Sequence, residues 1–347
     1  MDLPPTRAQI QILEAARKAL AQAAPMDRFS GINALLGRRD SRLWPELGEL
    51  GFLTLGLPTA LGGAGLGLTE EALLYRELGR RLISPAVLGL TLAARMAAHT
   101  DDALMLEALS SGEARVAIGV PHDPQGLGEF TSGRFNLIET DEAAWTIAWS
   151  PAGAGLFRTG DFIDLAPIVG VDDLLHIERG RLDHAQAVVW LDAKDDPIAA
   201  RANTLIAAYA VGVCEANRDM ATEDAQAHPH AGGSPATFLA IQGSCADMAV
   251  IAGAAWRQTV FAVVAASTDG EDRDFETMAA AVLATDAARR NADQAIAVHA
   301  ALDLVSPCDA RLHQARARVL MMLTGDLDQT RSAEGGPGRA PLARTGT

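Results

Sequence analysis

The chain has 347 residues, which is long for a single hydrophobic core and favours two or three packed units. Hydrophobic residues make up 49% and aromatic residues only 5%, a composition that suits close-packed helices better than a sandwich of short strands. The formal net charge of −15 argues against a nucleic-acid partner, because binding phosphates requires a basic surface. We therefore expect an α-rich protein.

The first region of the chain has the apolar periodicity of helices. Leucines recur at four-residue steps along one predicted helix, at Leu74, Leu78 and Leu82. Thr69 is the predicted N-cap of that helix, and Gly51 is expected to end an earlier helix that contains Trp44. Residues 1–113 are therefore predicted to form an N-terminal helical domain.

The pattern then changes to short alternating runs separated by proline and glycine. One run alternates Trp145, Ile147 and Trp149 with smaller residues, and another covers residues 188–191. Residues 114–196 are predicted to form a small middle β domain.

Helical periodicity returns after Pro197 and predicts a C-terminal helical bundle of four helices over residues 197–330. One apolar face of a long helix is formed by Phe238, Ile241, Cys245, Met248 and Ala252. The most apolar run, 249–266, contains Arg257 and Gln258 and is expected to fall short of a membrane span. The last segment, 331–347, is rich in Gly, Pro and Arg and is expected to be disordered.

The cysteines and basic residues indicate the compartment and the possible ligands. Three widely separated cysteines, Cys214, Cys245 and Cys308, show no metal-ligand spacing and favour a reducing cytoplasm without a metal site. An anionic ligand would need a local basic patch against the acidic surface. Three nearby arginines offer either such a patch or a solvated helix face: Arg311, Arg316 and Arg318.

Residues 43–79 join a helix, a glycine-rich turn and a second helix in a distinctive order. The motif residues are Trp44–Leu47, Gly51, Leu57–Pro58, Gly62–Gly63, Gly65–Leu66, Glu71 and Glu77–Gly79. Together they resemble the N-terminal domain of the acyl-CoA dehydrogenases. The resemblance implies a fold of an N-terminal helical domain, a middle β domain and a C-terminal four-helix bundle, with FAD as cofactor and an acyl-CoA as substrate.

Enzymes of that family need a carboxylate to remove a proton next to the thioester carbonyl. The resemblance implies two locations for this base, one at Ala202–Asn203 and one at Thr324–Gly325. Neither location holds a carboxylate. Asp326 lies next to the second location and is a candidate base, although an aspartate after a glycine is more often a solvated cap.

Two flavin signatures of the family are also altered. The resemblance puts His228 at the place of a phosphate-binding arginine, with His230 beside it, and retains only His299 of a Gln-x-His-Gly-Gly-x-Gly motif. Asp303, near the end of that motif, would repel phosphates. Trp145 or Trp149 is the candidate aromatic beside the flavin. The competing interpretations are surface histidines, a packed helix histidine and core tryptophans.

Two kinds of function follow from these residues. The chain is either the subunit without a catalytic base in a heteromeric FAD-dependent acyl-CoA dehydrogenase, as in relatives that shorten steroid side chains, or a non-enzymatic relative that assembles or binds acyl-CoA without flavin. A flavin oxidase on the same fold is a third option, and it needs the same missing groups. The first option implies a second acyl-CoA dehydrogenase-like subunit or self-oligomerisation, and no nucleic acid or membrane partner.

Overall fold

The computed structural model describes residues 6–29, 43–169, 171–228, 235–268, 270–302 and 309–324. Within those ranges lie nine α-helices and one seven-stranded sheet. Five helices precede the sheet and four follow it, so the prediction of a mostly helical chain with a β insert is confirmed. The predicted disordered tail, 331–347, lies outside the described residues.

The five N-terminal helices are α1 (Arg7–Ala23), α2 (Leu43–Glu49), α3 (Leu68–Arg80), α4 (Ala86–Ala97) and α5 (Ala103–Ser110). Gly51 follows α2 with a φ of 71°, the left-handed conformation that ends helices. The predicted N-cap of α3 is wrong. The helix begins one residue after Gly67, whose backbone N–H donates to Oε2 of Glu70 at 3.0 Å, so Thr69 lies inside the first turn.

Along the chain, the sheet follows the five N-terminal helices and precedes the four C-terminal helices. Its strands are β1 (Val116–Pro121), β2 (Phe130–Ile138), β3 (Trp145–Ser150), β4 (Gly153–Arg158), β5 (Ile163–Pro167), β6 (Ile177–Gln186) and β7 (Val189–Asp192). They are ordered β5-β6-β2-β1-β3-β4-β7, and β1 with β3 is the parallel pair. Ile147 and Ala148 of β3 point to opposite faces and are both fully buried, so apolar clusters cover the sheet on both sides.

The C-terminal bundle consists of α6 (Ile198–Ala227), α7 (Pro235–Ala266), α8 (Arg273–Ala301) and α9 (Ala310–Leu323). The stretch Thr237–Ala266 of α7 is, by length and composition alone, apolar enough to cross a membrane. The prediction that this region falls short of a span is therefore wrong, because α7 is one uninterrupted helix in spite of Arg257. A single such helix is weak evidence for a membrane, and α7 packs against both α6 and α8.

Two glycines bring α3 and α6 into backbone contact. A methyl group on Gly212 would lie 1.9 Å from the carbonyl oxygen of Arg76, and one on Gly79 would lie 2.0 Å from that of Tyr209. Side chains with a Cβ cannot be placed at these distances. Beside this crossing, Arg76 holds Glu215 through two bonds of 2.6 and 2.7 Å, so the N-terminal helices are tied directly to the bundle.

A buried arginine connects all parts of the fold. Arg316 of α9 is 1% exposed, and its Nε donates to Oδ2 of Asp172, in the β5–β6 connection, at 2.8 Å. Its Nη1 donates to the carbonyl oxygen of Ile83, between α3 and α4, and to the hydroxyl of Tyr209 on α6. The predicted cluster of Arg311, Arg316 and Arg318 is thus neither a patch nor a solvated face, since its middle member is in the core.

Replacing Arg316 by Met is expected to lower the free energy of unfolding by about 3–5 kcal/mol, because the Asp172 carboxylate would stay buried without its cation. The double variant Arg316→Met/Asp172→Leu should recover a large part of that loss. Urea denaturation measures both, and Arg318→Met, which alters an exposed arginine on the same helix, is the control. Equal stability of the single variant and the wild type would contradict this role.

Candidate functional site

A cleft of about 530 Å³ lies where the N-terminal helices meet the beginning of α6. One wall is the glycine-rich turn that follows α2, and the other is formed by the end of α4 and the connection from β7 to α6. The lining residues include Gly56, Leu57, Pro58, Arg95, His99, Asp196 and Arg201. The cleft therefore adjoins Ala202–Asn203, the earlier of the two locations implied for the catalytic base.

Two ion pairs lie at this cleft, which is lined by Arg95 and Asp196 of one pair and by Arg201 of the other. Arg201 of α6 contacts the carboxylate of Glu71 on α3, and these side chains are 15% and 5% exposed. Nε of Arg95 lies 2.7 Å from Oδ2 of Asp196, and Nε2 of His99 lies 3.1 Å from the same oxygen. Charged groups of α3, α4, α6 and the connection before α6 are thus paired with each other at the cleft.

The glycine-rich turn is held in place by the same ion pair. A methyl group added to Gly56 would lie 2.3 Å from Oε1 of Glu71, so the turn approaches the carboxylate closely only because that residue is glycine. The Gly56 backbone also hydrogen-bonds the Glu71 carboxylate. The sequence pattern that marked residues 43–79 therefore positions a carboxylate against an arginine.

Burial and the nearby positive charges act on the pKa of Glu71 in opposite directions. The pKa of its carboxyl is raised above the ordinary value, because burial outweighs the opposing effect of the positive charges of Arg201 and Arg95. Protonation of this carboxyl would leave Arg201 buried without a counter-charge, so the ion pair opposes proton uptake. The buried carboxylates of the cleft, Glu71 and Asp196, are each committed to an arginine in this way.

Of the two locations implied for the base, the structure describes the first in full and only Thr324 of the second. Ala202 and Asn203 are both buried on α6, and neither can accept a proton as a carboxylate would. Thr324, at the end of α9, donates its hydroxyl to the carbonyl oxygen of Met321 at 2.9 Å. Asp326, the candidate base, lies outside the described residues.

The structure brings together the two predicted flavin histidines. His228 caps the end of α6, and its exposed ring places Nδ1 3.0 Å from the carbonyl oxygen of Asp224. His299 of α8 lies with Nδ1 3.0 Å from Oδ2 of the same Asp224, and its side chain is 12% exposed. Both histidines therefore meet at one aspartate near the end of α6.

These groups do not fit the phosphates of a dinucleotide by themselves. The Asp224 carboxylate adds a negative charge beside His299, which disfavours a phosphate there. Ala300 and Ala301 continue α8 as helix, whereas the glycines of the family motif let the backbone approach the cofactor. His230 and Asp303 lie outside the described residues.

Trp145 lies elsewhere, on β3, where it is half-buried and packs against the main core. Trp149 on the same strand does the same. The chain leaves the sheet at the beginning of α6, while His228 lies at the other end of that helix, roughly 45 Å away for a helix of 30 residues.

Among the described residues, no group of three or more His, Cys, Asp or Glu could hold a metal ion.

The chain matches the model of the acyl-CoA dehydrogenase N-terminal domain over residues 6–101 and that of the C-terminal domain over residues 200–331. It belongs to the acyl-CoA dehydrogenase family. This assignment agrees with the fold and with the motif in residues 43–79. Members of the family are FAD-dependent oxidoreductases of fatty acid or steroid degradation.

Two relatives and one solved structure show what this chain is similar to. The acyl-CoA dehydrogenase IpdE2 of Mycobacterium tuberculosis is 28% identical over 281 residues, which is 80% of each chain. The acyl-CoA dehydrogenase FadE34 of the same organism is 29% identical over 312 residues, and the match covers 87% of this chain but 43% of FadE34. The ChsE4-ChsE5 complex from Mycobacterium tuberculosis has a TM-score of 0.75 at 19% identity, covering 98% of this chain and 100% of that chain.

Sequence reasoning missed the residues that fill the cleft. Arg95, Asp196 and Arg201 belong to no motif, and their partners are distant along the chain. One signal was available, because Arg201 is an isolated charge at the start of the apolar helix IAARANTLIAAYAVGV. A charge at such a position must be paired when buried, but the pattern does not say with what.

Replacing Glu71 by Gln is expected to lower the free energy of unfolding by about 3 kcal/mol, because Arg201 would lose its buried counter-charge. Thermal or urea denaturation measures the change, with Glu107→Gln on an exposed site of α5 as the control. If Glu71 were the catalytic base instead, the variant would keep its stability and abolish turnover of the functional assembly. That outcome would contradict the structural role.

Proposed function

We propose that this chain is the subunit lacking the catalytic base in a heteromeric acyl-CoA dehydrogenase that desaturates an acyl-CoA thioester between its α and β carbons. A second, family-related subunit supplies the proton acceptor. The assembly operates in the cytoplasm, in keeping with the unpaired thiols of Cys214 and Cys245.

One observation carries the proposal. The cleft adjoins Ala202, one of the two locations that the family resemblance implies for the base, and the buried carboxylates there are bound to Arg201 and Arg95. The scaffold around this place is intact, from the glycine-rich turn to the crossing of α3 and α6. A chain that keeps the fold of the family, but whose cleft carboxylates are already paired with arginines, is suited to support a catalytic partner.

FAD would be shared between the subunits. This chain would contribute His228 and His299 near Asp224, while the phosphate-binding cation would come from the partner. The relation to a known two-component structure, the ChsE4-ChsE5 complex, supports an assembly of unlike family members. This support comes from the shared fold alone, because the sequence identity is 19%.

The isolated chain is expected to purify without stoichiometric flavin and to reduce no dye with an acyl-CoA. Co-expression with a family member that retains both the flavin-binding arginine and the catalytic glutamate should give a yellow complex with dye-reducing activity. Visible spectra and dye reduction test both statements. In that complex Asp326→Asn should leave the rate unchanged, and flavin-dependent turnover by this chain alone, abolished by Asp326→Asn, would sink the proposal.

Replacing His228 by Ala in the complex is expected to lower the ratio of flavin to protein, because its exposed ring takes the place of the family's phosphate-binding arginine. The absorbance of released flavin measures that ratio. His184→Ala is the matched control, since His184 stacks on Phe130 in the sheet with 5.3 Å between ring centroids. Equal flavin content in both variants would remove His228 from the flavin site.

The alternative is a non-enzymatic relative that keeps the fold for assembly or acyl-CoA binding. The Asp224 carboxylate at the flavin histidines favours it specifically, because this charge opposes a bound dinucleotide. The two proposals separate in the co-expression experiment. A stable complex without flavin, whatever the partner, would support the alternative.

A further inference from the structure

The end of α4 brings two polar side chains to the cleft beside α6. Arg95 and His99 are four residues apart, so they lie on the same side of the helix end, and both line the cleft. Their side chains are 26% and 39% exposed, so each keeps part of its surface open to a ligand. The polar atoms that remain free on these two residues decide what the cleft can recognise.

Arg95 carries hydrogen-bond donors that no protein group uses. Its Nε lies 2.7 Å from Oδ2 of Asp196, yet this buried nitrogen makes no hydrogen bond. Within the part of the chain that the structure describes, its two Nη groups bond no other residue either. A guanidinium has five N–H donors, and donors in a partly closed cleft favour a ligand that offers them an acceptor oxygen.

His99 places an acceptor beside these donors. Its Nε2 lies 3.1 Å from Oδ2 of Asp196, and a carboxylate can only accept, so Nε2 carries the proton of the neutral ring. Nδ1 then has a free lone pair, and no residue within the described ranges donates to it. Donors on Arg95 and an acceptor on His99 together match a hydroxyl group, which accepts one hydrogen bond and donates another.

The charges around the cleft disfavour an anionic ligand. Its cations are Arg95 and Arg201. The carboxylates of Glu71, Asp195 and Asp196 outnumber them. A carboxylate or phosphate in the cleft would add to this negative excess, in a chain whose formal net charge is already −15. The oxygen that Arg95 binds therefore belongs to a neutral group.

The glycine-rich turn gives the same cleft an apolar side. Leu57, Pro58 and Leu61 line it there, and they offer hydrocarbon surface instead of hydrogen bonds. The volume of about 530 Å³ is in the range of small-molecule sites. One side of the cleft thus fits a hydrocarbon chain, and the other fits an uncharged oxygen on that chain.

We propose that this cleft binds an acyl-CoA whose acyl chain carries a hydroxyl group remote from the thioester. The hydroxyl oxygen accepts a hydrogen bond from the Arg95 guanidinium, and the hydroxyl group donates one to Nδ1 of His99. The chain itself lies along the glycine-rich turn. Arg95 and His99 thereby set specificity and take no part in proton transfer at the reacting carbons. The inference rests on the proposed function for one element alone, the acyl-CoA as the ligand of this chain.

The test compares the binding of matched thioesters to the full chain by isothermal titration calorimetry. Hexanoyl-, octanoyl- and decanoyl-CoA are each measured beside their ω-hydroxy and ω-carboxy forms. For at least one chain length, the hydroxy form is expected to bind about tenfold or more tightly than the plain form, because it gains a hydrogen bond to a charged donor. The carboxy form should bind more weakly than the hydroxy form at every length.

Two variants assign this preference to the two side chains. His99→Phe removes the acceptor and leaves Arg95 to balance Asp196, and Arg95→Lys keeps the positive charge but removes the planar donors. Each is expected to remove most of the preference for the hydroxy form without weakening binding of the plain form. His122→Phe, which changes an exposed histidine after β1, is the control. Circular dichroism of each variant verifies that the fold is retained.

The outcomes separate this inference from the proposed function. Equal affinity of plain and hydroxy forms at every length, tighter binding of the carboxy forms, or an unchanged preference in both variants would overturn the inference. Absence of binding by all the thioesters would overturn it too. None of these results alters the flavin spectrum of the co-expressed complex, in which the probes take no part and which tests the proposed function by itself.

Discussion

The arrangement of this protein depends on one buried cation. Arg316 cannot remain in the core without a counter-charge, because an uncompensated ion there costs several kcal/mol. Its guanidinium has donors in fixed directions, and it uses them on Asp172 beyond the sheet, on Ile83 between two N-terminal helices and on Tyr209 in the bundle. Burial raises the pKa of Tyr209 to about 12, so this hydroxyl stays protonated and donates in turn to the Ile83 carbonyl oxygen.

This arrangement decides what the cleft can do. The N-terminal helices and the bundle are in backbone contact at the glycines of α3 and α6, and the beginning of α6 brings Arg201 against Glu71. The family resemblance implies a catalytic carboxylate near this place. Here the buried carboxylates are paired with arginines, so the same geometry that holds the scaffold together also occupies these acids.

Local patterns in the sequence determined the class and order of the elements. Helical periodicity, the alternation at Trp145–Trp149 and the glycines near residue 51 each act over a few residues, so they were readable without the fold. The altered positions at Ala202 and His228 were also visible, because the family resemblance sets both at a fixed place along the chain. What only the tertiary structure decided is the pairing of charges distant in the chain. The spacing of Arg311, Arg316 and Arg318 indicated a cluster on the surface of a helix, whereas the contacts of Arg316 place it in the core. The role of Glu71 likewise depends on Arg201, which is 130 residues away in the chain. Burial and partner choice arise from packing between elements, and no local pattern contains that information.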